Sequence, residues 1–137
     1  QHQVRIELDV SAGLAPVRGD AIQIEQVILN LARNAVEAMD EVAPEMRLLR
    51  IRLFTNPQGI ASVEIRDTGP GLPKEAYNRI FEPFFTTKAN GMGMGLAISR
   101  SIVEAHGGVL SVCPNEPGPG LAFCFNLPGI EENPSHE

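Results

Sequence analysis

The alternation of apolar and polar residues predicts strands in three parts of the chain. Residues 4–10 alternate along a single segment, and residues 50–54 and 60–65 alternate on either side of a short turn. Residues 109–113 and 121–127 form a second pair around a turn rich in proline and glycine. Because successive side chains of a strand point to opposite faces, a period of two is typical of half-buried strands.

Helical periodicity is found in two longer segments. Residues 21–42 carry apolar side chains at helical spacing, and Asp20 and Pro44 are suited to begin and end that helix. Residues 96–106 form a second apolar helix that stops at two glycines, and a short helix is expected to end at Ile80. The apolar positions of the first helix are Ile24, Ile28, Leu31, Ala35 and Met39. Since helices and strands do not alternate regularly, the predicted fold is α+β, with helices layered on a largely antiparallel sheet.

Size and charge narrow the range of functions. The chain has 137 residues and a mass of 14.8 kDa, which is the size of one domain. Its net charge of −6 argues against a nucleic-acid-binding module, which would present a basic surface. No apolar run approaches the ~18 residues of a membrane-spanning helix, and no signal-peptide pattern is seen, so we expect no membrane segment. Cys113 and Cys124 lack a CxxC spacing, so we expect inert strand residues instead of a disulfide framework or a zinc site.

The first helix carries a polar face. Four of its polar side chains recur at i, i+3, i+4 and i+7 and therefore share one face, opposite the apolar stripe: Asn30, Arg33, Asn34 and Glu37. Such a run is commonly a solvated helix face, but asparagine is a poor helix former and two of them are unusual there. Amide oxygens are suitable ligands for a Mg²⁺ ion that also binds phosphate and water. The face is therefore a candidate site for a phosphate-bound cation.

A loop motif follows the third predicted strand directly. The order Asp67-Thr68-Gly69-Pro70-Gly71 places a carboxylate at the strand end, and its glycines let another group approach the backbone. A carboxylate in this position can accept a hydrogen bond from an amino group on a planar ring. Two other interpretations are an ordinary Asp-initiated turn and the Asp-Thr-Gly of retroviral-type aspartic proteases. The protease is disfavoured because it would leave the helical remainder of the chain unexplained.

A cluster of glycines precedes the second helix. Gly91, Gly93 and Gly95 follow a loop and lead into that helix. Glycines at a helix N-terminus expose backbone N–H groups and the positive end of the helix dipole, which suits a polyphosphate. Their G-x-G-x-G spacing matches neither the dinucleotide-binding fingerprint nor the P-loop. A flexible linker is the alternative, although a linker seldom runs straight into a strongly apolar helix.

The order of these segments is far more specific than any one of them. An asparagine-bearing helix, an Asp-x-Gly-x-Gly loop, a Phe-rich segment and a glycine cluster opening a helix resemble the N, G1, F and G2 boxes of sensor histidine kinases. Those boxes belong to the catalytic ATP-binding domain of the kinases, within the wider gyrase, Hsp90, histidine kinase and MutL ATPase superfamily. The resemblance runs over residues 4–128, and residues 84–88 and 95–108 look most similar to the FixL- and NtrB-like group.

The resemblance implies a fold and a domain organisation. The fold would be a two-layer α/β sandwich, the Bergerat fold, whose mixed, largely antiparallel sheet is covered on one face by about three helices. The catalytic domain would span residues 1–128, and residues 129–137 would be a polar tail. The expected location is cytoplasmic, in a parent kinase that is either soluble or anchored in a membrane.

The resemblance also implies roles for individual residues. Asn34 would hold Mg²⁺ beside the ATP phosphates, Asn30 would support the phosphates or that ion, and Asp67 would accept the amino hydrogen of adenine. Arg33 and Lys88 are the candidate cationic contacts of the phosphates, which completes the set of implied catalytic residues with Asn30 and Asn34. The other implied nucleotide contacts, several of them in an ATP lid at residues 84–94, are Glu37, Ala38, Gly69, Gly71, Leu72, Phe84, Thr86, Thr87, Gly91, Met92, Gly93, Met94, Gly95 and Leu96.

A comparison inside the superfamily distinguishes kinases from hydrolases. The gyrase and Hsp90 types carry a glutamate at the position of Asn30, where it activates water as a general base. An asparagine cannot accept that proton, so we expect slow ATP hydrolysis and transfer of the γ-phosphoryl group to a protein nucleophile.

The nucleophile is expected on another domain. None of His2, His106 and His136 has the helical context of a phosphoacceptor. The implied partners are therefore a histidine-bearing dimerisation domain, dimeric in the full-length kinase, and the receiver domain of a response regulator. No contact with nucleic acid or membrane is expected from this domain.

One position departs from the family pattern. Ala122 stands where the family often has a threonine that supports the aspartate and adenine through water. We therefore expect nucleotide affinity to be weakened but not abolished. The alternative functions are a serine kinase or ATPase of the same superfamily, and a degenerate non-catalytic nucleotide-binding module.

Overall fold

A computed structural model describes residues 3–11, 21–82, 95–116 and 118–128. Within them, two α-helices cover one face of a five-stranded sheet. The strands are β1 (Arg5–Val10), β2 (Leu48–Thr55), β3 (Ala61–Arg66), β4 (Leu110–Pro114) and β5 (Leu121–Leu127), and the helices are α1 (Ala21–Ala38) and α2 (Gly95–Ala105). Two 3₁₀ helices lie in the connections after α1 and β3, at Pro44–Met46 and Lys74–Ala76. No helix in these ranges is long and apolar enough to cross a membrane.

The sheet has the strand order β1-β2-β3-β5-β4. β1 runs parallel to β2, whereas the other neighbouring pairs are antiparallel. The predicted α+β sandwich with a mixed, largely antiparallel sheet is therefore confirmed. The register pairs Arg66, the last residue of central strand β3, with Ala122 of β5, so the chain leaves β3 beside the start of β5.

The core lies between α1, α2 and one face of the sheet. Four residues spaced four apart, three in α1 and one directly after it, are each at most 2% exposed: Val27, Leu31, Ala35 and Met39. They join Ile65 of β3 and Phe123 and Phe125 of β5 in one cluster of buried side chains. The predicted stripe was right from Leu31 onward, but Ile24 and Ile28 are only partly buried and Val27 takes the deeper position. The burial of these apolar side chains is the main force that holds the helix on the sheet.

The end of α1 differs from the prediction. The helix ends at Ala38, four residues earlier than expected, and the next residues form tight turns. The guanidinium of Arg47 donates hydrogen bonds to the carbonyls of Val42 at 2.8 Å and Asp40 at 3.0 Å. These bonds satisfy carbonyl groups that a continued helix would have used. The third predicted helix is present as the 3₁₀ helix Lys74–Ala76 followed by further turns.

The other face of the sheet carries charged pairs. Nε of Arg50 lies 3.2 Å from Oε1 of Glu7, and Nε of Arg66 lies 3.0 Å from Oε1 of Glu64. The hydrogen bond to Glu64 raises the pKa of Arg66 above its usual value. The Arg50–Glu7 pair is exposed and such pairs contribute little to stability, whereas the Arg66–Glu64 pair is partly buried.

The two cysteines also lie on this charged face of the sheet, on β4 and β5. Cys113 is exposed and Cys124 is half-buried. Burial raises the pKa of Cys124 to about 12. Because the thiolate is the reactive form, Cys124 is a poor nucleophile at neutral pH.

Alkylation should therefore distinguish the two thiols. We expect iodoacetamide at neutral pH to modify Cys113 in the native chain and to leave Cys124 unmodified until the chain is denatured. Intact mass and peptide mapping measure the result, and Cys113→Ser should abolish labelling of the native chain. Equal labelling rates of the two cysteines would contradict the assigned burial of Cys124.

Candidate functional site

Asp67 is the first residue after β3, and only 2% of it is exposed. Its Oδ1 accepts hydrogen bonds from the backbone N–H groups of Gly69 at 2.8 Å and Leu121 at 3.3 Å. The backbone N–H of Asp67 in turn donates to the carbonyl of Leu121 at 3.0 Å. A buried carboxylate is costly unless it is hydrogen-bonded. These bonds allow the carboxylate to lie in the interior where β3 ends and β5 begins.

Gly69 brings the loop after β3 against the end of α1. A Cβ atom on Gly69 would lie 2.7 Å from the carbonyl oxygen of Ala38 and 3.2 Å from Oδ1 of Asp67. Gly71 has a φ of 75°, in the left-handed region that favours glycine. The loop motif therefore needs its first glycine for close approach and its second for backbone conformation. Asp67, Gly69 and Ala38 form one wall of the candidate site.

Thr68 anchors the same loop on its other side. Its hydroxyl accepts a hydrogen bond from the backbone N–H of Leu48 at 3.1 Å and donates one to the carbonyl of Met46 at 2.9 Å. Leu48 is the first residue of β2. The loop is thus held between β2 on one side and β5 on the other, so that the Asp67 side chain has a defined position.

Two residues of the β4–β5 turn, which sequence reasoning missed, hold the backbone of Asp67. Nδ2 of Asn115 donates to the carbonyl of Asp67 at 2.8 Å and to the carbonyl of Pro119 at 3.1 Å. Gly120 has a φ of 107°, and a Cβ atom there would lie 2.0 Å from the carbonyl oxygen of Asp67. The richness of this turn in proline and glycine was the only available signal, and it does not reveal which loop the turn contacts.

Ala122, the departure from the family pattern, is 1% exposed and pairs with Arg66. A methyl group therefore packs where a hydroxyl was expected. The Asp67 carboxylate receives the backbone N–H groups of Gly69 and Leu121 without that hydroxyl. The weakened affinity expected from Ala122 stays a prediction.

The asparagine face of α1 borders α2. Asn30 and Asn34 are half-buried, and Nδ2 of Asn30 donates to Oγ of Ser99 at 3.4 Å. Ser99 is 0% exposed, and its only sequence signal was a serine in the middle of an apolar helix. The predicted placement opposite the apolar stripe was wrong for the asparagines, which lie beside the stripe because α2 packs against that flank. Arg33 is exposed, as a solvated position would be, and Glu37 is half-buried.

The start of α2 is the second part of the site. Gly95 is its first residue, and no described atom lies within 4 Å of where its Cβ would be. Leu96 is half-buried and packs against the core, as Leu72 does in the loop after β3. Packing against described residues thus does not require a glycine at position 95. The backbone N–H groups of Gly95 and Leu96 belong to the first turn of α2, where backbone donors lack partners within the helix.

Within the ranges that the structure describes, five of the predicted site residues lie in two neighbouring zones. Ala38, Asp67 and Gly69 meet at the end of β3, and Asn30 borders α2, with Asn34 one turn further along α1. Since α1 rises 1.5 Å per residue, the eight steps from Asn30 to Ala38 extend about 12 Å along its axis. Eight further predicted residues lie outside the described ranges: Phe84, Thr86, Thr87, Lys88, Gly91, Met92, Gly93 and Met94.

The arrangement suits an elongated ligand. A buried carboxylate at one end can accept a hydrogen bond from a ring amino group, and the amides and the helix start at the other end suit anionic oxygens. Among the described residues, no group of three or more His, Cys, Asp or Glu is placed to hold a metal ion. A hard cation at Asn34 would therefore need oxygens of the ligand as well, which fits the way Mg²⁺ binds with phosphates.

The mixed sheet, the carboxylate after its central strand and the asparagine-bearing helix define an ATP-binding domain of the α+β sandwich type. The sequence matches the family model described as histidine kinase-, DNA gyrase B- and HSP90-like ATPase over residues 19–130. This chain belongs to that family.

Individual relatives narrow the resemblance to histidine kinases. Sensor protein FixL of Bradyrhizobium diazoefficiens is 44% identical over 131 residues, which cover 96% of this chain and 25% of FixL. The structure of the mycobacterial sensor histidine kinase MprB matches with a TM-score of 0.79 and 32% identity, over 95% of this chain and 85% of that one. Full-length ShkA in complex with AMPPNP matches with a TM-score of 0.75 and 32% identity, over 96% of this chain and 27% of that one. The expected family, a histidine kinase catalytic domain, is confirmed.

The contact between the β4–β5 turn and Asp67 can be tested with two glycines of that turn. Gly120→Ala should cost about 4 kcal/mol or more, because the new methyl group would overlap the Asp67 carbonyl. Gly118→Ala is the matched control, since Gly118 has a φ of 112° but no described atom within 4 Å of its Cβ position. The control should lose only the backbone term, roughly 1–2 kcal/mol. Urea unfolding measures both, and equal losses would contradict the close approach.

Proposed function

We propose that this chain binds ATP with Mg²⁺ and donates the γ-phosphoryl group to a histidine on a separate dimerisation domain. A response-regulator receiver domain would then take the phosphoryl group from that histidine. The observation that carries the proposal is the Asp67 carboxylate, buried at the end of the central strand and held by two backbone N–H groups. It lies beside α1, the helix that presents the two asparagines.

Asp67 would recognise the base. A carboxylate can accept about four hydrogen bonds, so the two backbone bonds are compatible with a third from the amino group of adenine. A ring that carries a carbonyl at that position would place an acceptor against a buried carboxylate, and such a mismatch is strongly penalised. The fixed position of Asp67 therefore supports selectivity for adenine over keto purines.

The phosphates would lie along the asparagine face of α1, near the start of α2. Asn34 would hold Mg²⁺ together with phosphate oxygens, and the ion supplies neutralisation of phosphate charge when it is bound. The N–H groups of Gly95 and Leu96 would donate to phosphate oxygens. Arg33, which is exposed on α1, is a further cationic candidate for the phosphates, as is Lys88.

Asn30 favours a kinase over a hydrolase. Its amide donates to Ser99, and an amide has no basic site that could take a proton from water. Phosphoryl transfer then depends on positioning and charge stabilisation, with the protein nucleophile brought by the partner domain. A hydrolytic ATPase is the weaker candidate for this reason, and a degenerate module is disfavoured by the intact hydrogen bonding around Asp67.

The relatives support the same function at domain level. FixL is named a sensor protein, MprB a sensor histidine kinase, and ShkA was solved with AMPPNP. This chain spans only a quarter of the length of FixL, with 25% covered. The acceptor histidine and the receiver domain therefore belong to the proposal and not to the described chain.

Nucleotide binding should depend on Asp67. We expect the chain to bind ADP in the presence of Mg²⁺ and Asp67→Asn to weaken that binding at least about tenfold, because a charge-assisted hydrogen bond is lost. Isothermal titration calorimetry measures the dissociation constants. Asp9→Asn, a matched change at an exposed residue of β1, should leave them unchanged. No binding by the unmodified chain, or equal binding by Asp67→Asn, would overturn the proposal.

Phosphoryl transfer should depend on Asn34. We expect the chain, given Mg²⁺ and radiolabelled ATP, to label a purified dimerisation domain of a FixL-like kinase on its histidine. Asn34→Ala should reduce the transfer rate by about 100-fold or more, since the ion is no longer held in place. Gln26→Ala is the control, because it removes an exposed amide from the same helix.

The chemistry of the label distinguishes the alternatives. Phosphohistidine is labile to acid and stable to base, whereas phosphoserine shows the reverse behaviour. Label on serine would favour the serine kinase, and release of inorganic phosphate faster than transfer would favour the ATPase.

A further inference from the structure

Asn115, in the turn between β4 and β5, lies directly behind the candidate adenine site. It is 9% exposed, and its Nδ2 donates to the carbonyl of Asp67 at 2.8 Å. We propose that Asn115 is a positioning residue that sets the orientation of the Asp67 carboxylate and thereby the preference for adenine. The inference rests on the proposed function, because it assigns Asn115 a part in recognition of the base by Asp67.

The amide of Asn115 has a donor side and an acceptor side, and both are used. Its Nδ2 lies between two carbonyl oxygens, those of Asp67 at 2.8 Å and Pro119 at 3.1 Å. Its Oδ1 accepts a hydrogen bond from the Arg66 guanidinium at 3.3 Å. The reversed orientation would place an oxygen against two carbonyls and an NH₂ group against a cation. The orientation of this amide is therefore determined by its surroundings.

The same turn supplies one of the donors to Asp67. The backbone N–H of Asn115 donates to the carbonyl of Gly120 at 3.0 Å, which closes the turn just before Leu121. The N–H of Leu121 then reaches Oδ1 of Asp67 at 3.3 Å. Asn115 thus acts on Asp67 in two ways. Its side chain binds the backbone carbonyl of Asp67, and its backbone positions the Leu121 N–H that donates to the Asp67 carboxylate.

Arg66 holds the outer end of this chain of contacts. Its Nε lies 3.0 Å from Oε1 of Glu64, and a second guanidinium nitrogen reaches Oδ1 of Asn115 and, at 3.4 Å, the carbonyl of Glu116. The ion pair with Glu64 therefore holds the Arg66 guanidinium in position, and the guanidinium in turn orients the Asn115 amide. The network runs from the charged face of the sheet to the backbone of Asp67.

A displaced Asp67 should lose selectivity for adenine more than it loses phosphate binding. Inosine diphosphate is the suitable comparison, since it differs from ADP only on the ring, where a carbonyl replaces the amino group and the adjacent N1 carries a hydrogen. With Asp67 in its present position, its carboxylate can accept a hydrogen bond from the amino group of ADP. A displaced carboxylate would accept a hydrogen bond poorly from either nucleotide. Affinity for ADP should therefore fall while affinity for inosine diphosphate stays nearly constant.

The test measures both dissociation constants by calorimetry for the 137-residue chain and its variants. We expect Asn115→Ala to weaken ADP binding about tenfold and to leave inosine diphosphate binding within about twofold. Asn115→Asp, which has nearly the same shape, should have an effect at least as large, because a carboxylate oxygen would face the carbonyls of Asp67 and Pro119. Arg66→Met keeps the asparagine at position 115 but removes the donor to its Oδ1. This variant should also weaken ADP binding, by a smaller factor.

Asn56 provides matched controls in the other hairpin. Its Oδ1 accepts hydrogen bonds from the N–H groups of Gln58 and Ile60, both at 2.9 Å, at the turn between β2 and β3. Asn56→Ala should lower stability by removing turn hydrogen bonds, with no change in the ratio of the two dissociation constants. Asn56→Asp keeps the acceptor and should change neither quantity. Urea unfolding confirms that each variant is folded under the binding conditions.

The outcomes distinguish the inference from the proposed function. An unmodified chain that binds neither nucleotide overturns both, and one that binds ADP and inosine diphosphate equally overturns base recognition by Asp67 and with it the role of Asn115. An unmodified chain that prefers ADP, with an unchanged ratio in the Asn115 and Arg66 variants, overturns the role of Asn115 alone. Equal weakening of both nucleotides also overturns it, since that result indicates general loosening of the domain. If both Asn115 variants fail to fold, Arg66→Met decides the question by the same ratio.

Discussion

A carboxylate buried where the central strand ends is the constraint on which the surrounding structure depends. Asp67 is 2% exposed, and an unsatisfied carboxylate at that depth would oppose folding by several kcal/mol. The structure meets this cost with backbone donors, which requires the chain to approach the carboxylate very closely. Glycines at 69 and 120 make that approach possible, because a side chain at either position would overlap a carbonyl oxygen. The glycines of the motif are therefore consequences of the buried charge as much as of the ligand.

The helix α1 connects that carboxylate with the phosphate end of the candidate site. One stripe of the helix, which includes Val27 and Leu31, is buried against the sheet, and Asn30 on the neighbouring flank donates to Ser99 of α2. Burial of the stripe prevents rotation of the helix about its axis, since rotation would expose apolar area. The asparagines are therefore held at a fixed distance from Asp67 by the hydrophobic core, and Asn30 is held in addition by its hydrogen bond to Ser99.

The sequence predicted those parts of the fold and site that depend on local pattern. Strand alternation, the period of α1 and the Asp-x-Gly-x-Gly loop are each readable within a few residues. Contacts between distant residues were not readable: Asn115 is 48 positions from Asp67, and Ser99 is 69 positions from Asn30. The helix end was also missed, because Arg47 binds the carbonyls of residues 40 and 42 from beyond the helix. Local sequence propensities cannot predict a contact of this kind.

The two ends of the candidate site are supported by different kinds of structure. One is the end proposed to bind the base, and the other is the end proposed for phosphoryl transfer. The end proposed for adenine is held by a hydrogen-bonded network that runs from Glu64 through Arg66 and Asn115 to the backbone of Asp67. The phosphate end consists of half-buried amides between two helices. Because Asn30 lacks a basic group, ATP bound as we propose would find no general base at that position, and the γ-phosphoryl group would wait for a protein nucleophile. Under the proposed function, tight recognition of the base would be useful in itself, since a slowly hydrolysed nucleotide would have to stay bound until the partner domain docks.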